Sequence, residues 1–509
     1  MNKNFLKFSD QEIIRINKLD VIRKIGINPY PSEEYNVNAT SKDVIKYYEY
    51  GKNVIISGRL IRMRKMGKAS FIEIKDNHGL IQIYLKRDSI SEFKTKYDFF
   101  LKKLLDIGDI IGIKGFLFKT KSNKITVHAV DIKLLSKCLR VLPNVKKDET
   151  GKVHDSFEES EQRYRMRYLD LIVNDKTKKL FIKRTKIIQY IRNYLNNKGY
   201  LEVETPVLQS IPGGAIARPF RTHHNALNIP LYLRISNELF LKKLIVGGLE
   251  SVYEFSRNFR NEGIDKNHNP EFTILELYVS YKDYFWMMNF LEKLLEYLCI
   301  KLYNKKLLKI NNKLISFKTP FKKITILDSI KENTGFDLSG LNEKNIINIC
   351  KKLQLKIDKN MVKAKLIEQI FSEKCEKKYI NPTFIMDFPI EMSPLTKKHR
   401  SKKGLTERFE LIINGNEIAN SYSELNDPID QLKRFREQIK LFEKGDNEAG
   451  DNEAGDNEAM LIDWEFIRSL EFGMPPCAGI GIGIDRLIML LTNNKCIQEV
   501  LFFPQMRQI

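Results

Sequence analysis

Residues 259–278 read FRNEGIDKNHNPEFTILELY. The stretch crowds Arg260, Glu262, His268, Asn269, Glu271 and Phe272 around one loop. Upstream, SVYEFSRNF mixes aromatic, β-branched and polar residues, and downstream EFTILELYV is largely apolar. The segment from Gly263 to Pro270 between them is rich in turn formers, so the pattern predicts strand, long loop, strand. An arginine at such a strand presents a rigid donor fork suited to phosphate or carboxylate. Phe272, just past the loop, offers a flat face on which a purine can stack. The plainer alternative is a charged hairpin on a solvated sheet edge.

A second stretch weakens that alternative. Residues 478–491, AGIGIGIDRLIMLL, read as a glycine-interleaved strand feeding a helix, with Arg486 near the junction. Alternating glycines in a strand let a ligand or another backbone approach closely. This is not a GxGxxG dinucleotide fingerprint, which would have to open a helix within a βαβ unit. FRNEG with HNPEF, followed by GIGIGIDR, resembles motifs two and three of the class II aminoacyl-tRNA synthetases, and VETPV at 203–207 resembles motif one. More narrowly, IPGGAIARPF (211–220), THHNAL (222–227) and NSYSELNDP (420–428) resemble the lysyl-tRNA synthetase family. The resemblance runs from about Gly51 to the C-terminus.

Bulk properties agree with a large globular chain. At 509 residues and 42% hydrophobic content, two or more domains are expected. Lys+Arg 86 against Asp+Glu 64 leaves a net charge of +22, which favours a polyanionic partner, although part of the excess is compositional drift. Six scattered cysteines without a CxxC pair give neither a zinc site nor a disulfide framework. The N-terminus lacks an apolar signal core and no apolar run is long enough to span a bilayer, so the expectation is a cytoplasmic protein without membrane contact.

Taken in order, residues 1–50 form a helical arm in which Ile13, Ile14, Leu19, Ile22 and Ile25 fall roughly on one face. Residues 51–142 carry five short strands separated by turn signals, with a helical stretch near Ile90–Leu105, the pattern of an OB barrel. Residues 143–161 are polar and charged, and read as a linker. A long amphipathic helix over about Thr177–Lys198 opens the second domain, 162–509. Within it, 281–384 reads as a lysine-rich, mostly helical insertion. Gly445-Asp-Asn-Glu-Ala449 then recurs twice more up to Ala459, a composition expected of a solvated loop. The overall expectation is an α+β multidomain chain, with an N-terminal OB-fold β-barrel followed by an antiparallel-sheet catalytic domain flanked by helices.

The resemblance implies ATP-dependent activation of lysine and its transfer to tRNA(Lys), by a homodimer using Mg2+. Making an aminoacyl adenylate brings together two anions, a carboxylate and a phosphate, so charge must be neutralised and geometry held. By resemblance Arg260 bridges them and, with Arg486, carries the catalytic role. Adenine lies between Phe272 and Arg486 with edge contacts near Glu262 and Asn269, while His268 approaches the outer phosphates. Glu410 and Glu417 hold the metal, brought to one side of a hairpin by the turn at Asn414-Gly415. Gly214 and Glu238 receive the α-amino group, Tyr278 and Glu424 the far ammonium, and Asn420 and Tyr422 line the slot. In the OB domain Phe71 stacks an anticodon uracil and Arg64 and Gln82 bond its edge. Departures from relatives fall at Asn123-Lys124, Asn267, Ser421 and Tyr422, the last two of which are expected to reshape the lysine pocket. The alternatives are an aspartyl- or asparaginyl-type synthetase, which would want a cationic or amide-reading pocket in place of Glu424, and a non-catalytic tRNA-binding protein. A lysine-activating paralogue that modifies a protein would lack the OB-like domain.

Overall fold

Period-2 alternation turns the first unit, Met1–Glu158, into a closed barrel. The computed structural model describes residues 8–89, 103–143, 146–147, 153–154, 157–215, 217–357, 361–446 and 462–507. Most of the helix expected near 90–105, much of the linker, and the pentapeptide repeat beyond Asp446 lie outside the described residues. The barrel strands are β1 (Asn53–Met66), β2 (Ala69–Lys75), β3 (Leu80–Lys86), β4 (Ile110–Lys119) and β5 (Ile125–Ser136). They close in the order β1-β2-β3-β5-β4, with β3 and β5 parallel. Ile72, Ile74, Ile83, Leu85, Ile113 and Val127 fill the interior, so the residues that alternate with them face outward. That outer set aligns Phe71 with Tyr84, Tyr84 with His128 and His128 with Phe116 across four strands.

The N-terminal arm forms α1 (Asp10–Lys24) and α2 (Ser41–Lys46). The expectation of one apolar face on α1 needs correction, because Ile13 and Ile14 are 45% and 56% exposed and Ile22 is the helix's buried residue. Polar contacts take the place of an apolar stripe. Arg15 donates to the carbonyls of Ile107 (3.1 Å) and Arg140 (2.8 Å), and Lys18 pairs with Asp106 at 2.6 Å. Ile22 and Val44 complete the barrel core.

The second unit, Glu159–Ile509, is built on an eight-stranded sheet. In chain order its strands are β6 (Leu201–Glu202), β7 (Ser251–Phe259), β8 (Glu271–Ser280), β9 (Lys322–Thr325), β10 (Thr383–Met386), β11 (Arg408–Ile413), β12 (Asn416–Ser423) and β13 (Cys477–Gly483). They lie in the order β9-β10-β11-β12-β13-β8-β7-β6, antiparallel except at the two edges. Its described helices of eight or more residues are α3 (Asp175–Asn196), α4 (Glu238–Val246), α5 (Tyr284–Tyr303), α6 (Ile326–Thr334), α7 (Glu343–Lys352), α8 (Lys363–Lys374), α9 (Pro428–Asp446), α10 (Trp464–Glu471) and α11 (Ile484–Thr492). One sheet face, carrying Leu275, Leu277, Ile480, Ile482, Phe409 and Leu411, packs on α3, α5 and α11. Each leucine fully buried there contributes roughly 1.5–3 kcal/mol.

The stretch 281–384 is not a single insertion. Its first helix, α5, is a central core helix, and β9 with β10 extends the main sheet. Only α6–α8 form a separate helical layer, which packs through Ile330, Ile346 and Ile367 on Ile385 and Ile412. Lysines at 322 and 323 disguise β9, because both side chains of that edge strand are exposed. Among the described residues, no helix is long and apolar enough to cross a membrane.

Candidate active site

The opposite sheet face carries the site, and strand register decides which side chains reach it. Gly479 pairs with Tyr278 on β8 and with Tyr422 on β12, and Gly481 pairs with Glu276 and Asn420. Directly paired residues point to the same face. The glycines therefore form a side-chain-free floor between two rows of polar side chains. A methyl group at Gly479 would lie 1.9 Å from Glu424 Oε1 and 2.5 Å from the Tyr278 ring, so only glycine fits there.

The β11–β12 hairpin adds the second row. Its two turn residues, Asn414 and Gly415, are left-handed (φ 53° and 70°), and the turn pairs Ile412 with Glu417. Glu410 and Glu417 therefore share one face, as the sequence suggested. A register shift beside Ile412 then pairs Glu410 with Asn420. This bulge brings Asn420 and Tyr422 to the face that Glu417 occupies, which their odd spacing from it would otherwise forbid. Ser421 consequently points to the core side, and its Oγ donates to the Gly479 carbonyl at 2.7 Å. The expectation that Ser421 reshapes the pocket is thus corrected, whereas Tyr422 does line it.

The long loop folds around Asp265. Its Oδ1 accepts from the backbone N–H groups of Asn267 (2.6 Å) and His268 (2.7 Å), and its Oδ2 meets His268 Nδ1 at 2.8 Å. His268 Nε2 then lies 3.0 Å from Arg486 Nη2, and Arg486 Nη1 donates to Glu417 Oε2 at 3.2 Å. Arg260 extends the β7–β8 pairing by one bond, from its N–H to the Pro270 carbonyl (2.7 Å). Its guanidinium sits 5.1 Å above the Phe272 ring, and its buried Nε has no hydrogen-bond partner. Asn269 donates to the Glu271 carbonyl at 2.7 Å, which leaves its buried Oδ1 unpartnered.

These residues surround a cavity of about 450 Å³, lined by Gly214, Glu238, Arg260, Glu262, His268, Asn269, Phe272, Tyr278, Glu417, Asn420, Tyr422 and Arg486 together with Gly479, Gly481 and Gly483. Gly214 is left-handed (φ 85°), and a Cβ there would fall 2.9 Å from Ser236 Oγ. Two expected residues, Glu410 and Glu424, stand behind the lining. Glu410 is held by Arg408 at 2.6 Å. Burial pushes the Glu410 carboxyl up to about 7, against the pull of Arg408 and with Glu417 and Glu368 adding to the rise. Two neighbouring carboxylates of this kind suit a hard dication, since magnesium commonly takes one or two carboxylates and completes its shell with phosphate oxygens and water. Among the described residues, no cluster of three or more metal-ligating side chains forms.

Sequence reasoning missed three members. Glu276 lines the cavity two residues before Tyr278 and accepts from its phenol at 3.1 Å; a lone carboxylate alternating with apolar residues in ILELY was the available signal. Arg408 bridges Glu410 and the Asn420 Oδ1 (3.1 Å). Lys242, buried in α4, lies 2.6 Å from Glu238 Oε1 and 2.5 Å from Glu424 Oε2. The second contact is an ion pair without hydrogen-bond alignment, since neither Glu424 oxygen has a hydrogen-bond partner. Burial pushes the Glu424 carboxyl well up, with Lys242 opposing. In the barrel, Phe71 is half-buried against Tyr84 (5.0 Å between centroids), Gln82 Oε1 accepts from Thr126 Oγ1 at 3.1 Å, and Arg64 is exposed beside Phe71.

A family model described as tRNA synthetases class II (D, K and N) matches residues 159–507. The chain belongs to this class II synthetase family. A second model, described as an OB-fold nucleic acid binding domain, matches residues 54–135 of the synthetase. Similar proteins include lysine–tRNA ligases of Porphyromonas gingivalis, 55% identical over 99% of this chain and 86% of the relative, and of Christiangramia forsetii, 56% identical over 99% and 88%. That of Azobacteroides pseudotrichonymphae is 56% identical over 98% of this chain and 99% of the relative.

Glu276 gives this synthetase a pH signature. Burial first, then Glu238, pushes its carboxyl from 4.5 to about 8, while Tyr278, Lys242 and Arg260 oppose. Between those values the folded chain keeps a proton that the unfolded chain releases, so stability falls as pH rises through the window. In the ligand-free protein, Glu276→Gln is expected to flatten that fall and raise stability at pH 8 by a few kcal/mol, at about 1.4 kcal/mol for each pH unit of the window. Denaturant melts of both proteins at pH 5 and pH 8 check it; equal pH dependence contradicts it.

Proposed function

We propose that this synthetase is a lysine–tRNA ligase that uses ATP to make lysyl-adenylate and passes lysine to the 3′ end of tRNA(Lys). The observation that carries the reading is the charge pattern of the cavity. Glu238 and Glu276 line one end, with Glu424 just behind and the Tyr278 and Tyr422 phenols beside them, while Arg260 lies toward the Phe272 loop. A substrate with two ammonium groups and one carboxylate matches that polarity. An aspartate side chain would meet carboxylates, a costly juxtaposition.

In this reading Gly214 brings its backbone to the α-amino group with Glu238 as counter-ion. Glu424 and Tyr278 receive the ε-ammonium, and Asn420 and Tyr422 line the slot. Arg260, whose buried Nε lacks a partner, bridges the lysine carboxylate and the α-phosphate. A carboxylate oxygen then attacks phosphorus and pyrophosphate leaves. Phe272 and Arg486 sandwich adenine, Glu262 and Asn269 meet its edge, and His268 reaches the outer phosphates. Glu410 and Glu417 would hold Mg2+, which when bound neutralises phosphate charge. The 3′-hydroxyl of tRNA attacks the activated carbonyl and AMP departs.

For tRNA, the outward row that begins at Phe71 supports base stacking, with Arg64 and Gln82 at the uracil edge. A homodimer is supported by Leu201, Val207 and Leu208, which are 49%, 40% and 47% exposed at or near the sheet's β6 edge; such apolar surface favours a covering partner. A cytoplasmic location is supported by the substrates, since ATP and tRNA are both present there.

Amino-acid-dependent ATP–pyrophosphate exchange with each amino acid in turn tests the reading. Lysine is expected to support exchange and aspartate and asparagine not to; efficient exchange with aspartate would overturn it. For the anticodon domain, Phe71→Ala removes a stacking platform worth roughly 1–3 kcal/mol. It should raise the KM for tRNA while lysine-dependent exchange stays near wild type. A parallel fall of both would point to misfolding instead.

A further inference from the structure

We infer that Lys242 is a positioning residue, a built-in third cation that ties Glu238 to Glu424 and thereby sets the length and charge of amino acid the slot accepts. The inference rests on the lysine reading above and adds a determinant of selectivity to it.

Lys242 follows Glu238 by one helical turn in α4, and its side chain is fully buried. One ammonium nitrogen touches carboxylate oxygens from two separate elements, Glu238 Oε1 on the helix and Glu424 Oε2 at the end of β12. Those oxygens therefore lie no more than about 5 Å apart, the sum of the 2.6 Å and 2.5 Å contacts. A lysine cation is costly to bury unless it is paired, and this one also lies 5.5 Å over the Tyr422 ring. The adjacent Lys243 shows the contrast, since it pairs with Asp463 at 3.4 Å and keeps part of its side chain in solvent.

Each carboxylate gives one oxygen to Lys242 and keeps the other. Glu238 Oε2 accepts from the Tyr422 phenol at 2.8 Å, and Glu424 Oε1 overhangs the Gly479 floor. The bridge thus fixes the separation of the two oxygens that Lys242 leaves over, Glu238 Oε2 and Glu424 Oε1, which are proposed to read the α- and ε-amino groups. It also balances charge. Lys242 places its positive charge between Glu238 and Glu424, which offsets the repulsion of those two carboxylates. Lysine and ornithine differ by one methylene, so a fixed spacing between acceptors distinguishes them, whereas a floppy or protonated pair does not. A single methylene difference typically yields about 10- to 200-fold discrimination.

The test is pyrophosphate exchange by the full-length protein with lysine and with ornithine, comparing wild type, Lys242→Met, Lys242→Gln and Lys242→Arg. The Met and Gln variants should raise the KM for lysine by at least about tenfold and bring the lysine-to-ornithine ratio of kcat/KM down by a similar factor. The KM for ATP should stay near wild type. Lys242→Arg keeps the buried charge, and with it the fold, but alters the bridge, so its ratio should shift even if the neutral variants do not fold. A purely structural staple would lower melting temperature and kcat and leave the ratio and the lysine KM unchanged in every folded variant, which would overturn the inference. Failure of the wild type to activate lysine would instead overturn the lysine reading itself.

Discussion

The site depends on cross-strand register at β13. Gly479 and Gly481 are flanked on both sides, by Tyr278 and Glu276 of β8 and by Tyr422 and Asn420 of β12. Because side chains alternate with a period of two, a slip of one residue would replace this floor with Ile480 and Ile482 and turn the glycines into the core. The buried isoleucines on the far face, packed on α5 and α11, are what forbid the slip. Core packing on one side of the sheet thus positions chemistry on the other.

Electrostatics follow from that placement. The floor lies close to ionisable groups that would repel one another if left alone, and each is held by a specific partner. Arg408 restrains Glu410 and fixes the amide of Asn420, Arg486 restrains Glu417, and Lys242 restrains Glu238 and Glu424. The residual tension falls on Glu276, whose closest hydrogen-bond partner is a neutral phenol. Burying carboxylates together is costly unless a cation shares their dry surroundings, as Lys242 does for Glu238 and Glu424.

Much of this is legible in the sequence. The loop between β7 and β8, the glycine strand running into α11, and the five barrel strands all announce themselves by turn residues and alternation. What stays hidden depends on context. The bulge beside Ile412 leaves no mark in composition, yet it decides that Tyr422 and not Ser421 enters the cavity. Lys242 and Lys243 look alike in ELFLKKLIV, and only helical phase with Glu238 and burial against Glu424 separates them. The arm misleads because α1 is fastened by Arg15 and Lys18, which look like ordinary surface cations. The edge strand β9 is obscured for a similar reason, since lysines on an exposed strand carry no periodicity signal.

The central claim, that a side-chain-free floor under the polar rows receives the substrates, is tested most directly by Gly481→Ala. Its new methyl would stand 3.1 Å from Glu276 Oε1 and 3.2 Å from Ile274 Cδ1, close enough to obstruct the floor yet small enough for the fold to absorb. Calorimetric titration with lysine and with ATP should show affinity for at least one of them reduced by about tenfold or more, at a melting temperature near that of the wild type. Unchanged affinity for both ligands in a folded Gly481→Ala protein would contradict the account.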